Sequence, residues 1–388
     1  MKQNKVAREQ HIAVFGESGS GKTVLLSSFY GLALEQELAG TERFDILAAD
    51  STQGRRLHQN YLGMKKSGLL PIGTHFASTS YSFAIKRKPG VSAKTRKVVA
   101  EELRLVWHDY PGEWFEEEPS GPEEEQRRIS TFQALLSSDV AMVLVDGQKL
   151  VDHAGEEERY LKSLLINIST QLLKLRDDVL KDDQPLVRFP RIWLLALSKA
   201  DLLPEMDVAG FRDLLVEKVG RELNKLQEVI STFVEAPEAL SVGEDFVLLS
   251  SAKFEPEKIE VTKRVGLDLI LPIAAMLPLS RFLPWARVIT KGTGAAKHLV
   301  NAVMPLVDGL GGPKLNALMS RLPGPVGKAA TLLGPVLSQP AYDLAGSKLE
   351  DLHIQAKEKH DFLAETLTGF QMELDRGDEE KVLLRGRV

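Results

Sequence analysis

The chain has 388 residues, of which 43% are hydrophobic and 27% charged, and its formal net charge is −5. This is the composition of an ordinary soluble protein, and the length allows two domains or one domain with a large elaboration. The absence of cysteine excludes disulfides, thiolate catalysis and cysteine metal sites, and the negative charge argues against a surface that coats nucleic acid. The polar N-terminus runs directly into the first predicted strand, so we expect no signal peptide and a cytoplasmic protein.

The first informative stretch is HIAVFGESGSGKT, which runs from His11 to Thr23. Its apolar half predicts a buried strand over Ile12–Phe15, and the residues after the motif predict a helix over Thr23–Leu34. The loop between them matches the pattern G-x-x-x-x-G-K-[ST], whose backbone N–H groups surround a polyphosphate. Because a strand precedes the loop and a helix follows it, we favour this interpretation over a chance Gly/Ser-rich turn.

Each residue type in this loop has a physical reason to be there. Gly16, Gly19 and Gly21 are predicted to take positive φ, which turns the backbone N–H groups toward the anion. The N-terminus of the predicted helix faces the same anion. Lys22 would reach the terminal phosphates, and the hydroxyl of Thr23 would hold Mg²⁺. The residues assigned to nucleotide binding here are Gly16, Glu17, Ser18, Gly19, Ser20, Gly21, Lys22, Thr23 and Val24.

An antiparallel hairpin is predicted in the next part of the chain. Residues 41–73 are polar and predict irregular structure with some helical stretches. Alternating polar and apolar residues then predict strands over Tyr81–Lys88 and Lys97–Trp107, with a turn at Pro89-Gly90 between them. This hairpin would give the sheet one antiparallel edge.

The returning strand leads into the motif DYPG, from Asp109 to Gly112. An acidic residue at a strand end can hold Mg²⁺ through water, and the N–H of Gly112 is positioned to sense a γ-phosphate. Asp-x-x-Gly alone is a weak pattern, and its value comes from its place after the hairpin. The acidic stretch Glu113–Glu125 contains proline and glycine, which predicts a mobile, solvated loop.

Three continuously apolar stretches, each followed or preceded by a helical pattern, predict further buried strands. They are Val140–Val145, Ile192–Leu197 and Phe246–Leu249, with helices expected over about 154–180 and 208–233. Strands alternating with helices predict an α/β fold whose sheet is mostly parallel, with functional sites at the carboxyl ends of the strands. Two motifs occupy such ends, SKAD (Ser198–Asp201) and SSAK (Ser250–Lys253).

The four motifs GESGSGKT, DYPG, SKAD and SSAK, in this order, resemble the signature set of translation-factor-like, Ras-like P-loop GTPases. The longer string HDYPGEW, from His108 to Trp114, is similar to the YcjX-type bacterial P-loop stress proteins. The resemblance covers roughly residues 10–255. It implies a P-loop nucleoside triphosphatase fold of the G-domain type, with guanine nucleotide (GTP or GDP) and Mg²⁺ as ligands.

The resemblance also implies roles for the two later motifs. Asp201 would accept hydrogen bonds from the guanine N1–H and amino group, and the stem of Lys199 would pack on the base. Ser251 and Ala252 would donate backbone N–H groups near the guanine carbonyl oxygen. The nucleotide-binding set is completed by Ser198, which replaces the usual Asn or Thr of this motif, and by Lys253.

The candidate catalytic residues are Lys22, Thr74, Gly112 and Glu113. A mobile threonine should complete the Mg²⁺ shell formed with Thr23 and Asp109, and Thr74 is preferred over Thr79. Glu113 stands where such GTPases often place a water-orienting Gln, and a carboxylate there would repel the γ-phosphate. We therefore expect slow intrinsic hydrolysis. His108 is expected to be a buried, supporting histidine.

The chain is predicted to divide into a GTPase domain over residues 1–258 and an α-helical C-terminal region over 259–388. Residues 266–345 are apolar, carry seven basic and three acidic side chains, and are interrupted by Pro and Gly, so short helices are expected and no membrane span. This segment is either a helical subdomain packed on the GTPase domain or a surface for a membrane or partner. Residues 347–380 predict an amphipathic helix.

The leading hypothesis is a bacterial, Mg²⁺-dependent switch that binds GTP, hydrolyses it slowly, and gates a C-terminal region contacting a protein effector or a membrane. We expect no nucleic-acid partner, and a cytoplasmic location with peripheral contact at the inner membrane as the alternative. Two other functions remain open, an ATP-driven P-loop enzyme and a nucleotide-bound scaffold with little turnover. The carboxylate of Asp201 favours guanine over adenine.

Overall fold

The computed structural model of the chain describes residues 8–39, 44–71, 79–87, 103–109, 111–115, 119–180, 184–255, 258–288 and 362–386. The predictions made for Thr74, for the hairpin turn at Pro89-Gly90 and for residues 289–361 fall outside these ranges.

Within the described ranges, eight strands form one sheet. Their bounds are β1 Arg8–Phe15, β2 Phe44–Ala48, β3 Thr79–Arg87, β4 Leu103–Asp109, β5 Val140–Asp146, β6 Ile192–Ser198, β7 Ser241–Leu248 and, at the C-terminal end, β10 Leu383–Leu384. The strand order is β10-β7-β6-β5-β1-β4-β3-β2. A separate two-stranded hairpin consists of β8, Lys253–Glu255, and β9, Lys258–Glu260.

The sheet is mostly parallel. β4, β1, β5, β6 and β7 run parallel, whereas β3 is antiparallel to both β4 and β2, and β10 is antiparallel to β7. The predicted α/β fold with a parallel-dominated sheet and an antiparallel hairpin is therefore confirmed. The structure adds β2 at one edge and β10 at the other, so both edges of the sheet are antiparallel.

Helices cover both faces of the sheet. Their bounds are α1 Lys22–Ala39, α2 Ser51–Ser67, α3 Pro122–Leu135, α4 Gly147–Asp152, α5 Glu157–Lys174, α6 Arg176–Val179, α7 Val208–Ser231, α8 Ile270–Val288 and α9 Phe362–Glu379. One hydrophobic cluster joins a sheet face to α1, α8 and α9, and a second joins the opposite face to α3, α5 and α7. With five strands buried on both faces, continuous apolar runs such as VAMVLV and IWLLAL are what a parallel sheet requires.

The prediction of irregular structure with some helical stretches over residues 41–73 is correct for the helix, which is α2, but it missed the strand β2. Helix α2 begins after Asp50, whose carboxylate accepts from the N–H groups of Thr52 and Gln53 at 2.7 and 3.2 Å. It ends at Gly68, which has the left-handed conformation (φ 62°) typical of a helix C-terminus. Both end signals are present in the sequence.

The prediction of a loop over Glu113–Glu125 is wrong at both ends of this stretch, and residues 116–118 lie outside the described ranges. Gly112–Phe115 forms a 3₁₀ turn, and α3 begins at Pro122. Proline fits the first helical position because its missing N–H has no partner there, and the acidic residues that follow face the positive end of the helix dipole. The single helix expected over about 154–180 is divided, since α5 ends at Lys174 and α6 follows it.

The described part of segment 266–345 does not consist of short helices, since α8 is continuous for 19 residues. Pro272 lies in the first turn of α8, where a backbone N–H would have no intrahelical acceptor in any case. Pro278 lies in the interior and removes one helical hydrogen bond. The apolar residues Leu269–Leu277 are otherwise buried against the sheet and α1. None of the helices in the described ranges combines the length and apolar composition that a bilayer-spanning segment requires.

The C-terminal end of the described chain returns to the sheet. Helix α9 packs on α8, and β10 pairs with the outer side of β7. Residues on both sides of position 258 therefore contribute to one hydrophobic cluster. The division into domains at residue 258 remains a prediction, as does the start of the C-terminal helix before Phe362.

A buried ion pair fastens this end of the chain. The guanidinium of Arg281 donates to both carboxylate oxygens of Asp245 at 2.8 and 2.9 Å and to Glu244 at 3.0 Å, and Gly386 N–H donates to Asp245 at 3.0 Å. The side chains of Arg281 and Asp245 are 4% and 1% exposed. Removing one partner would strand a buried charge.

We expect Arg281→Ala to lower the free energy of unfolding by about 3–5 kcal/mol, the usual cost of breaking a buried pair. Urea denaturation would measure it. Arg212→Ala is the matched control, because Arg212 pairs with Asp213 at the surface and its loss should cost less than about 1 kcal/mol. Equal effects of the two substitutions would show that the buried pair has no special weight.

Candidate functional site

The loop between β1 and α1, residues 16–21, is called the phosphate loop below after its predicted ligand. Gly19 and Gly21 have φ values of +78° and +92°, as predicted. Gly16 does not have positive φ, so that prediction is wrong. Its constraint is steric instead, because a Cβ atom there would lie 2.7 Å from Ser20 Oγ and 3.1 Å from Leu144 Cβ. Gly16 allows the loop to fold back closely over β5.

The lysine and the threonine of the motif lie at the start of α1. This helix begins at Lys22, one residue earlier than expected, so its first N–H groups adjoin the loop. The buried ammonium of Lys22 donates to the carbonyl oxygens of Gly16 at 2.7 Å and Glu17 at 3.0 Å. Lys22 is thereby held against the loop that it would bridge to a phosphate. Thr23 follows in the same turn.

The DYPG motif contacts this loop directly. Asp109 ends β4, is 2% exposed and lies beside β1, while Tyr110 is outside the described residues. A Cβ atom at Gly112 would lie 2.3 Å from Ser18 N, so only glycine fits against the loop backbone. Ser18 Oγ also donates to Glu113 Oε1 at 3.1 Å. The turn that would sense a γ-phosphate is thus packed on the phosphate loop.

Arg128 of α3 anchors the other side of this turn. Its guanidinium donates to the carbonyl oxygen of Trp114 at 3.3 Å and lies 5.5 Å from the centre of the Trp114 ring. Glu124 pairs with the same guanidinium. The turn is therefore held between the phosphate loop and α3.

The SKAD motif follows β6 and is braced by its neighbours. Ser198 Oγ donates to the carbonyl oxygen of Val145 at 3.2 Å, so the hydroxyl contributes bracing. Asp201 is oriented by the SSAK segment, with Ser250 Oγ 2.6 Å from Oδ1 and the N–H of Phe254 donating to Oδ2 at 3.2 Å. The two motifs therefore form one structural unit.

The SSAK segment places a buried hydroxyl without a partner beside this unit. Ser251 Oγ is buried and has no hydrogen-bond partner among the residues that the structure describes, and Ala252 is fully buried. Lys253 is exposed at the start of β8. A buried polar atom without a hydrogen bond is costly, so its presence at this position fits a site that a polar ligand completes.

One cavity of about 290 Å³ connects three of the motifs. It is lined by Gly19 and Gly21 of the phosphate loop, by Val24 of α1, by Ser198 and Lys199 of SKAD, and by Ser250 and Ser251 of SSAK. Its remaining lining residues are Leu25, Leu70, Gln148, Leu202 and Phe254. The structure thus brings together motifs separated by more than 200 positions in the chain, and the roles of the individual residues remain predictions.

The residues predicted to hold Mg²⁺ lie at the start of α1, at the end of β4 and at the start of β3. Thr23 is the second residue of α1, and Thr79 lies opposite Asp109 in the pairing of β3 with β4. Across the described ranges, there is no group of three or more acidic or histidine side chains that could hold a metal by itself. The choice between Thr74 and Thr79 stays open, since Thr74 is outside those ranges.

His108 is buried, as expected, in a short polar chain. Its Nε2 lies 3.0 Å from His11 Nδ1, and its Nδ1 lies 2.9 Å from Ser80 Oγ. Burial lowers the pKa of His11 and of His108 to about 4, with a smaller effect of nearby positive charge. Both rings are therefore neutral at physiological pH. This fits a supporting role within the sheet, between β1 and β4, rather than proton transfer.

Sequence reasoning did not identify the residues at the end of β5 and directly after it. Asp146 pairs with Lys199 at 2.8 Å, and Lys149 pairs with Glu17 of the phosphate loop at 2.6 Å. Gln148 lines the cavity. The signal was present as the polar string DGQK directly after an apolar strand, at the edge of the sheet where sites form.

No protein-family model and no curated protein matches the chain. Among solved structures, Methanosarcina barkeri Roco2 RocCORdC bound to GDP matches with 13% identity and a TM-score of 0.26, covering 76% of this chain and 60% of that one. Two structures of an oligomerised bacterial dynamin pair, described as a mechanism for long-range sensing and tethering of membranes, match with 14% and 16% identity and TM-scores of 0.26. They cover 93% and 97% of this chain but 48% and 62% of their own. Likeness at this level does not establish a family, and the chain spans about half to three fifths of each match.

Proposed function

We propose that this chain is a Mg²⁺-dependent GTP-binding protein that hydrolyses GTP slowly and acts as a switch. The observation that carries the proposal is that the phosphate loop, SKAD and SSAK all line one cavity. A nucleotide would place its phosphates at the loop and its base between the two later motifs. The α/β fold supports this, because ligands bind such sheets at the carboxyl ends of the parallel strands.

The phosphate end would be held mainly by the backbone. The N–H groups of Gly16–Thr23 and the first turn of α1 would surround the phosphates, and Lys22 would exchange its carbonyl partners for phosphate oxygens. Thr23 and Asp109, with a threonine at position 74 or 79, would hold Mg²⁺. When bound, the ion supplies charge neutralisation at the β- and γ-phosphates.

The base end is suited to guanine. Asp201 presents two carboxylate oxygens and is oriented by Ser250 and by the N–H of Phe254. A carboxylate accepts two hydrogen bonds from the N1–H and amino group of guanine, whereas adenine has no N1–H to donate. Ser251 contributes the buried hydroxyl that lacks a partner. These features favour a GTP-binding protein over an ATP-driven enzyme.

Switching would begin where Gly112 touches the phosphate loop. A γ-phosphate arriving at the loop would meet this contact and the hydrogen bond from Ser18 to Glu113. Rearranging the turn would then be transmitted through Trp114 to Arg128 and α3. A ligand shifts such an equilibrium only through different contacts with its two states, and these contacts would provide that difference.

The decisive experiment is equilibrium binding of labelled GDP and ADP to the purified chain in the presence of Mg²⁺. We expect a clear preference for GDP. Adenine preference, or none, would mean that SKAD and SSAK do not read guanine and would favour the ATP-driven alternative.

Turnover should be slow and limited by Glu113. We expect the chain alone to hydrolyse GTP at less than about 1 s⁻¹, which is the lower end of the kcat values typical of kinases. Glu113→Gln should raise the rate by roughly tenfold, because an amide can orient water without repelling the γ-phosphate. Phosphate release at excess GTP measures both rates.

The control for this measurement is Glu123→Gln, an exposed carboxylate on α3 that should leave turnover unchanged. A parent rate well above 1 s⁻¹, or a Glu113→Gln rate below that of the parent, would contradict the assignment. Binding without measurable phosphate release would favour the second candidate, a nucleotide-bound scaffold, which the carboxylate at Glu113 makes a specific alternative.

The proposal extends to partners and location. A protein effector, peripheral membrane contact through residues 266–345 and a cytoplasmic location are predictions that rest on the sequence. Residues Leu269–Leu277 are buried in the core, so membrane contact through this segment would have to use other parts of it.

A further inference from the structure

One carboxylate orients two walls of the cavity. Asp146 is the last residue of β5, and its side chain is 4% exposed. Its Oδ2 accepts from Lys199 Nζ at 2.8 Å, and its Oδ1 accepts from the N–H of Gln148 at 2.9 Å. Lys199 and Gln148 both line the cavity. Asp146 therefore lies behind the cavity and holds residues that face into it.

The backbone around this carboxylate is unusually constrained. Lys199 has the left-handed conformation (φ 54°, ψ 39°), which is costly for a residue with a side chain. A Cβ atom at Gly147 would lie 2.7 Å from the carbonyl oxygen of Ser198 and 2.8 Å from that of Lys199. Asp146 pairs in register with Ser198. The Asp146-Gly147 step and the start of SKAD are thus packed against each other and fix the strained residue.

The same aspartate is connected to the phosphate loop. Its N–H donates to the hydroxyl of Tyr160 at 2.8 Å. The ammonium of Lys149 lies 5.6 Å from the centre of the Tyr160 ring and pairs with Glu17 Oε2 at 2.6 Å. The base and phosphate ends of the cavity therefore share one supporting network, in which Asp146 belongs to the base end.

We propose that Asp146 is a positioning residue for nucleobase recognition, which it performs by fixing the ammonium of Lys199 so that the lysine stem forms a preformed wall for the base. The inference rests on the proposed function. A free lysine stem has several rotatable bonds, and ordering them on binding would reduce affinity. The ion pair with Asp146 orders the stem in advance.

The test compares two probes on one variant. Asp146→Asn keeps an acceptor for the N–H of Gln148 but loses the charge that holds Lys199. We expect it to weaken GDP binding by roughly tenfold. This is less than the loss of a fully buried charge pair would cause, because Lys199 is partly exposed. Binding of inorganic tripolyphosphate, which has no base, should be unchanged. Titration calorimetry measures both.

Two further variants make the test specific. Lys199→Met keeps the stem and removes the ammonium. The double variant with Asp146→Asn should therefore bind GDP no less tightly than the single variant with the lower GDP affinity. Asp207→Asn is the matched control. Like Asp146, which precedes α4, Asp207 caps a helix, and its carboxylate accepts from the N–H of Gly210 at 2.8 Å. Like Asp146, it also pairs with a lysine, because Lys381 lies 3.6 Å away. It lines no part of the cavity and should leave GDP binding unchanged.

The outcomes separate this inference from the proposed function. A parent that binds GDP, with Asp146→Asn unaffected or with GDP and tripolyphosphate weakened equally, would overturn the positioning role alone. Additive losses in the double variant would overturn it as well. A parent that binds no guanine nucleotide would overturn the proposed function, and the inference with it.

Discussion

Lys22→Ala should abolish tight nucleotide binding. The ammonium of Lys22 is buried and held by two carbonyl oxygens of its own loop, a position from which it can contact the β- and γ-phosphates. Losing a buried charge that contacts phosphate should weaken GDP binding by at least about 100-fold, or roughly 3 kcal/mol. Equilibrium binding of labelled GDP measures the change.

The control for this variant is Lys162→Ala. Lys162 is a half-buried residue of α5 that pairs with Glu158 at 2.6 Å and lines no part of the cavity, so its loss should leave GDP binding unchanged. The thermal melt of Lys22→Ala without nucleotide should resemble that of the parent, since only a loop contact is lost. Retention of GDP affinity within about threefold, far below the loss expected for a charged contact, would exclude this loop as the phosphate site.

Asp201→Asn should change which base the site prefers. The carboxylate of Asp201 presents two acceptors, and an amide presents one acceptor and one donor. The donor would face the amino group of guanine, so GDP affinity should fall by about 100-fold or more, as expected when a site built for hydrogen bonding is mismatched. Xanthine carries a carbonyl oxygen at that position, so XDP should bind better to the variant than to the parent.

Competition of GDP and XDP against one labelled nucleotide gives both affinities in the same experiment. Asp213→Asn, an exposed residue of α7 paired with Arg212, serves as the control and should keep the GDP preference. If Asp201→Asn bound GDP as tightly as the parent, Asp201 would not read the base, and the preference for a GTP-binding protein would lose its main support.

The sequence predicted the parts of the fold that long apolar runs and glycine-rich turns specify. The parallel strands were found because burial on both faces requires uninterrupted apolar residues. The short edge strands β2 and β10 were missed, since two to five residues at a sheet edge carry too weak a pattern. The continuity of α8 was missed because tertiary burial outweighs the local cost of Pro278.

The candidate site divides in the same way. The four motifs lie close together because the carboxyl ends of parallel strands meet at one edge of the sheet, which alternation of strands and helices allowed us to predict. The string DGQK marks Asp146 as a polar residue at a strand end, but its ion pair with Lys199, 53 positions away, was not predictable. The steric constraint at Gly16 was not predictable either, because it depends on packing against β5. Local pattern contains no such distances.

The position of α9 and β10 has a consequence for how the protein reaches its native state. The segment from residue 362 to 386 covers the hydrophobic face shared with α1 and adds the outer strand beside β7. During synthesis these residues emerge long after the nucleotide motifs. Until then, one apolar face of the sheet and the edge of β7 would remain exposed. Such delayed, long-range closure slows folding and leaves nascent chains prone to aggregation, which makes early capture by a chaperone or by nucleotide advantageous. It also means that a fragment ending near residue 258 would lack part of its own core.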